Sequence, residues 1–342
     1  MSRAAPARPG KPTINDVARA AGVSRATVSR VINGTAGASP SNRTRVRSAV
    51  AELGYQPSAT ARALATGRTR AIELIATSFR PPTGWLGAHP YYSRVLAGAM
   101  SFLEGTDIQL RIHVLRADCA DQDVDAFAED AGIGVLLANV TPELAVRLYL
   151  RCRRVISLVP TAAAVPAVEV DNIAAVRTAV THLHQLGRRH IAAIHGPSDN
   201  TCAEERRDGY RRAIEGFGLP ELSADGGFTR EGGHDAAREL LERHPGIDAM
   251  FVACDLMAAG AVQAITASGR RVPGDVAVIG FDDSVAASCA NPRLSTMRLP
   301  VEEMAAEATR MLLGGALDSG YRKRYPVQLI VRESTLLTGT VA

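Results

Sequence analysis

From residue 71 onward, short apolar runs alternate with helical stretches, and that rhythm leaves few folds open. The runs read AIELIA, IQLRIHV, IGVLLA, VISLV, HIAAIHG, AMFVAC and VAVIGF, separated by helical segments near 93–104, 142–151, 173–186 and 257–268. Apolar-rich runs of strand length look like buried parallel strands. Such strands form open parallel sheets flanked by helices, joined by right-handed crossovers. Seven of them, with further strands near the C-terminus, are many for one sheet in a chain of this size. The expectation is an α/β core of two doubly wound parallel-sheet lobes, with ligands held at the strand carboxyl ends in the crevice between them.

The first 70 residues differ from this body in charge. They hold twelve Lys and Arg against only Asp16 and Glu52, whereas the remainder holds 27 basic against 33 acidic residues. A compact basic head on a mildly acidic body is the electrostatic footprint of a nucleic-acid-binding module joined to a larger domain. A solvated basic tail suits residues 1–12, rich in Pro, Ala and Arg, but not residues 13–56, which are patterned.

In TINDVARAAGVSRATVSRVING, residues 13–34, Thr13 and Asp16 form a capping-box pattern, and Val17, Ala18 and Ala21 recur at helical spacing. Gly22 supplies the turn, and Ser24 caps a second helix whose Val28, Val31 and Ile32 face inward. Asn33-Gly34 ends that helix. A third helix from about Ser41 to Leu53 is expected to bury Val46, Val50 and Leu53, with Arg43, Arg45 and Arg47 on its other face. Two of three short helices joined by a tight glycine turn make a helix-turn-helix, an all-α head over residues 13–56. The N-terminal half of its second helix enters the major groove, so Arg25 and Ala26 come nearest the base edges. Thr13, Thr27, Ser29 and Arg30 are placed for phosphates and nearby edges. An ordinary helical hairpin with solvated arginines is the competing reading, and the charge split argues against it.

Residues 57–70 read as a hinge. Pro57 sets a boundary, Ser58 can cap, and ATARALA is an alanine-rich helix of about two turns, marginal alone but ready to form when packed. A plain polar linker is the alternative.

The chain resembles the lac-repressor/gal-repressor family of bacterial transcription regulators over residues 12–339. The motifs that carry the resemblance are the head sequence above, RVRSAVAELGYQPSATARAL, VDNIAAVRTAVTHLHQLGRRHIAAIHG, RRDGYRRAI, DLMAAGAVQAI, RVPGDVAVIGFDD, TMRLPVEEMAAEA and VRESTLL, in the family's order. The resemblance implies a core like a periplasmic sugar-binding protein, with an N-lobe of about 71–167 and 299–325 and a C-lobe of about 168–298 and 326–342. It implies a homodimer on a palindromic double-stranded operator, and a repressor released or strengthened by a small polar effector, a sugar by preference. Leu64 falls where the family wedges a leucine into the minor groove, with Arg62 beside the backbone; Ala65 stands where many relatives carry a lysine.

The same resemblance places the effector between the lobes. Arg206 clamps a polar group, Asp282 of GFDD accepts hydroxyls, and Asp255 lies on the same rim. Tyr91, Tyr92 and Phe228 supply aromatic contact. Arg206 and Asp282 as lobe-edge charges, and Tyr91 or Phe228 as core residues, remain the alternatives. Cys254 replaces the family's usual Asn, and SLVP at 157–160 makes one wall drier. Trp85, the only tryptophan, either lids the ligand or anchors its loop.

Other chemistries find little support. His182, His184, His190 and His195 cluster in sequence, but i, i+2 positions on a helix diverge, so no metal site is expected. No GxSxG element anchors a hydrolase, GIG at 132–134 is too short for a dinucleotide fingerprint, and no cofactor or enzyme activity is implied. Five single cysteines with no CxxC pair suggest neither zinc nor a disulfide framework, and most read as small core residues. No apolar run nears the ~20 residues of a membrane span, and the basic N-terminus lacks a secretory apolar stretch, so a cytoplasmic, nucleoid-associated protein is expected. A sugar-transport binding protein would explain the body but has no use for the basic head.

Overall fold

The computed structural model describes residues 12–32, 36–55, 70–78, 87, 89–116, 119, 121–152, 154–315 and 317–336. The arm before residue 12, Asn33-Gly34, the hinge positions Arg62, Leu64 and Ala65, and Trp85 lie outside them. Two units divide at Arg70 and Ala71, and each is described by itself.

Among its described residues the first unit has three helices, α1 (Ile14–Ala21), α2 (Arg25–Ile32) and α3 (Pro40–Leu53). Thr13 caps α1 as its sequence requires: its amide donates to Asp16 Oδ2 at 2.9 Å, and its Oγ1 accepts from the Asp16 amide at 3.4 Å. Gly22 takes the left-handed conformation, φ 59°, that turns the chain toward α2. The Ser24 hydroxyl accepts from the Thr27 amide at 3.1 Å and starts the second helix. Arg45, expected on an outer face, donates to the Gly22 carbonyl at 3.2 Å and closes that turn.

Val17, Ala21, Val28, Val46 and Ala49 form the buried centre of this unit, with Val50 packed at its edge. Leu53, expected inside, is 36% exposed. The reason is length: α3 has 14 residues against eight in each partner helix, so its last turn extends past them.

The second unit holds two six-stranded sheets. The first contains β1 (Ala71–Ser78), β2 (Gln109–Arg116), β3 (Gly134–Ala138), β4 (Val155–Ser157), β5 (Ala167–Val170) and β11 (Arg322–Tyr325), in the order β11-β5-β4-β3-β1-β2. All of its pairings are parallel, with Ile72 opposite both Leu110 and Gly134. The second contains β6 (Ile191–His195), β7 (Leu222–Asp225), β8 (Ala249–Val252), β9 (Ala277–Asp282), β10 (Ser295–Arg298) and β12 (Gln328–Ile330), in the order β12-β10-β9-β8-β6-β7. It departs from the all-parallel expectation at one edge, where β12 runs antiparallel to β10.

Helices α4 (Pro90–Leu103), α5 (Asp121–Asp130) and α6 (Pro142–Arg151) belong to the first lobe. The second lobe carries α7 (Asn172–Gln185), α8 (Thr201–Phe217), α9 (Arg230–Arg243), α10 (Asp255–Ala267) and α11 (Val285–Cys289). Helix α12 (Val301–Gly314) then packs against α4, back in the first lobe. The chain therefore passes between lobes three times: after Val170, after Arg298, and between β11 and β12. The first passage follows Val170, where the pairing of β5 with β11 ends. No helix among the described residues is long and apolar enough to cross a membrane.

Candidate functional site

On the head, Arg25, Ala26 and Arg30 are exposed along α2, and Thr27 and Ser29 are half-buried. The first turn of α2 holds no acidic residue, so the positive end of its dipole is left uncompensated. Exposed arginines beside such a helix start fit an anionic backbone with base edges behind it. Thr13 and Thr27 are already engaged: Thr13 Oγ1 donates to Asp16 Oδ2 at 2.7 Å, and the Thr27 and Ser24 hydroxyls meet at 2.9 Å. Both thus hold the starts of their helices.

In the second unit, a narrow cleft opens where the strand ends of the two lobes meet. Strand topology explains who lines it. Asn139 follows β3, Leu158–Pro160 follow β4, Val170 ends β5, Cys254 follows β8, Asp282 ends β9, and Leu299 follows β10. The starts of α4 and α12 add His89, Tyr91, Tyr92, Val301 and Met304, while α7 and α8 add Asn172, Cys202 and Arg206.

The polar centre is Arg206, 6% exposed. Its Nε donates to Asn172 Oδ1 at 3.0 Å, its Nη1 to the Ala253 carbonyl at 2.5 Å, and the guanidinium lies 3.8 Å over the Phe281 ring. Asp282 Oδ1 stands 3.7 Å from Nη1, a longer ion pair. Asn172 in turn donates to Glu205 Oε2 at 2.7 Å. A buried cation held this fully is fixed before any ligand arrives. Burial pushes the Asp282 carboxyl above the ordinary carboxylate range, while Arg206 and Arg94 pull it down.

Aromatic rings frame this centre. Phe228 sits at φ 59°, left-handed, and its ring occupies the space above Gly196, where a Cβ would come within 2.3 Å of Phe228 Cζ. Only glycine lets the ring lie there. His89 caps α4, its Nδ1 accepting from the Tyr91 amide at 3.2 Å, and its ring meets Phe228 edge-on at 6.1 Å across the cleft. Burial, with Arg206 nearby, lowers the His89 pKa to about 4, so the ring is a neutral wall. A second cross-cleft contact joins Asn200 Nδ2 to Asn139 Oδ1 at 2.8 Å.

Four non-glycine described residues have positive φ: Asn139, Phe228, Asp282 and Asp283. Three line the cleft and the fourth adjoins it. Backbone strain of this kind gathers where geometry serves a ligand.

The structure brings together Tyr91, Tyr92, Arg206, Phe228 and Asp282, but not Asp255. That residue is fully buried away from the cleft, its Oδ2 accepting from the Ser284 amide at 2.7 Å and its Oδ1 from the Thr296 hydroxyl at 2.6 Å. As the first residue of α10 it points into the lobe, and its neighbour Cys254 takes the cleft position. Burial and Asp282 raise its pKa. Sequence reasoning missed His89, Asn139, Asn172 and Cys202. For His89 a signal existed, since His before Pro90 at a helix start places its ring beside the tyrosines.

The dry wall expected from SLVP is present, since Leu158, Val159 and Pro160 all face the cleft. The cysteines are less uniform than expected: Cys202 and Cys254 are buried, Cys119 and Cys152 intermediate, and Cys289 exposed. The histidines diverge. His182 meets Thr335 at 3.2 Å, His184 stacks on Phe217 at 4.0 Å, His190 is exposed, and His195 is buried against Tyr210.

Comparison with known proteins agrees with this division. Residues 13–58 match the model for bacterial regulatory proteins of the lacI family, and residues 180–335 match a periplasmic binding protein-like domain. The HTH-type transcriptional regulator CelR of Thermobifida fusca is 37% identical over 339 residues, covering 95% of this chain and 98% of that one. A structure of a transcriptional regulator CelR–cellobiose complex is 35% identical, with a TM-score of 0.70 over 94% of this chain and 99% of its own. The lac repressor dimer bound to operator and the anti-inducer ONPF is 26% identical, with a TM-score of 0.79 over 96% of this chain and all of its own. With a helix-turn-helix head, a two-lobed cleft and relatives matched along nearly their whole length, this chain belongs to the lacI family of bacterial regulatory proteins.

Proposed function

We propose that this protein is a cytoplasmic homodimeric repressor of a sugar-uptake or catabolic operon, released or reinforced by a neutral saccharide bound between its lobes. The observation that carries the effector class is the buried Arg206–Asp282 pair facing aromatic and aliphatic walls. Sugar hydroxyls need paired donors and acceptors, and sugar C–H faces need apolar contact. The cation of Arg206 has Asp282 beside it, which favours a neutral ligand over a phosphorylated one. The similarity to a regulator solved with cellobiose supports the same class.

The roles follow from position. Arg25 and Ala26 read bases, and Thr13, Thr27, Ser29 and Arg30 hold phosphates. Arg206 and Asp282 hold hydroxyls, with Tyr91, Tyr92 and Phe228 packing on the ring faces. Arg62 and Leu64 belong to the hinge that passes the signal. Moving such a switch from mostly bound to mostly free takes about 5.5 kcal/mol of differential affinity for the effector.

The test is calorimetric titration of the full chain with cellobiose, glucose and a sugar phosphate. Gel shifts on an operator selected from random duplexes follow, with and without each binder. A neutral sugar that binds and changes operator affinity supports the reading; binding only by the phosphorylated sugar overturns its effector class.

A further inference from the structure

We propose that Arg94 is the positioning residue for effector recognition: its guanidinium locks the backbone that presents the Asp282 carboxylate to the cleft, and ties that carboxylate to the first lobe. The inference rests on the reading of the cleft as the effector site.

Asp282 ends β9 with φ 111°, a conformation that L residues rarely hold. Such a residue persists only where its surroundings over-determine it. Here the Asp282 carbonyl accepts from two donors, the Leu299 amide at 3.3 Å and Arg94 Nη1 at 2.7 Å. The first belongs to the chain passing between lobes. The second comes from α4, in the other lobe.

Arg94 is itself fixed on every side. Nε and Nη2 each donate to one Glu302 carboxylate oxygen at 2.7 Å, and Nη2 also donates to the Leu299 carbonyl at 2.8 Å. One planar group thus clamps α4, the start of α12, the passage at Leu299 and the end of β9. A lysine, with a single point donor, cannot reproduce this fork. None of these bonds uses the Asp282 side chain, which makes no hydrogen bond among the described residues and is left facing Arg206 at 3.7 Å. Holding the peptide therefore aims the carboxylate without occupying it.

The arrangement also defines a route between lobes. Any ligand drawn to Asp282 pulls on a peptide that α4 grips directly, so a shift at the cleft must either carry α4 with it or break the Arg94 bond. The titratable and charged groups facing Asp282 are Arg206 on α8, Arg94 on α4, Cys254 and Asp255 at the start of α10, Cys202 and Tyr91.

The experiment uses the full-length chain with Arg94→Met, Arg94→Lys and the control Glu302→Gln, which keeps both carbonyl contacts. Calorimetry with cellobiose as probe is paired with NMR of the Asp282 amide and ¹³C carboxyl, assigned by Asp282→Asn. Expected are a tenfold or greater loss of cellobiose affinity in both Arg94 variants and less than threefold in Glu302→Gln. The Asp282 amide should move in both Arg94 variants, and the carboxyl titration should rise in Arg94→Met alone, where the cation is gone. A merely structural arginine would lower the melting temperature but leave the affinity of the folded protein and the Asp282 signals in place; that result overturns the proposal. If the parent chain itself ignores cellobiose, the choice of sugar fails instead, and the Asp282 resonances alone decide the role of Arg94.

Discussion

Arg206 and Asp282 meet at 3.7 Å with both side chains 7% exposed, the cation on a helix and the carboxylate at a strand end of the same lobe. Each makes the other's burial tolerable. Replacing Arg206 by Met leaves a desolvated carboxylate beside an apolar surface, which costs about 3–5 kcal/mol when a buried pair is broken. Urea unfolding should show that loss, and the double variant Arg206→Met/Asp282→Leu should recover part of it. Losses of Arg206→Met and Asp282→Leu that simply add in the double variant would show that the pair is not coupled.

Gly196→Ala tests the aromatic wall. The new methyl would meet the Phe228 ring at 2.3 Å, so the ring must swing away. Affinity for a cleft ligand should drop about tenfold, an order set by lost apolar contact of roughly 1.4 kcal/mol. A similar loss in Phe228→Leu, with no further loss when Gly196→Ala is added to it, would tie the effect to the ring, and calorimetry reads both.

On the head, Arg25→Ala should cost about 1–3 kcal/mol of operator affinity and relax preference at one base pair. Arg30→Ala should weaken all duplexes alike and reduce the dependence of log K on log salt by about one unit. Gel shifts at several salt concentrations separate the two; identical behaviour would erase the division of labour between base and phosphate.

Loss of the first cap is a stability prediction. Thr13→Ala removes the hydroxyl that accepts the Asp16 amide and should lower head stability by about 1 kcal/mol. Melting monitored by circular dichroism on the head checks it, with Thr13→Ser expected to stay near the parent.

His195 makes the core acid-sensitive. Its ring is fully buried, neither nitrogen has a hydrogen-bond partner among the described residues, and burial lowers its pKa from 6.5 to about 3. The folded state keeps the ring neutral, so stability is intact above pH 6.5 and falls as pH drops toward 3. The loss is up to ~1.36 kcal/mol per pH unit for each such group. His89, held near 4, adds to the same slope. His195→Phe should flatten the decline in melting temperature between pH 6.5 and 5; an unchanged slope would assign it to other groups.

The head was the most legible part of the sequence, because caps, a turn glycine and helical spacing are local signals; Thr13, Asp16 and Gly22 took the expected parts. The sheets were legible wherever strands are continuously apolar. β5, with Glu169 inside AVEV, and the short polar β11 and β12 were not. Their places come from pairing partners distant in sequence, including Arg322 and Arg324, which bind Glu169. In the cleft, charged and aromatic residues stood out by type. Asp255 did not reveal its direction, since a helix's first residue can face solvent, ligand or core. That choice was made by Ser284 and Thr296, about 30 and 40 positions away.

The three passages between lobes bear on the order in which this chain can be made. The first lobe is complete only when α12 and β11 arrive, after every helix and all but one strand of the second lobe. As the chain emerges from the ribosome, strands β1–β5 must wait, lacking one edge and one covering helix, while roughly 150 further residues are synthesised. A premature stop or a proteolytic cut near Leu299 would thus damage the earlier lobe as much as the later one. The cleft comes into being only once α12 and β11 have emerged.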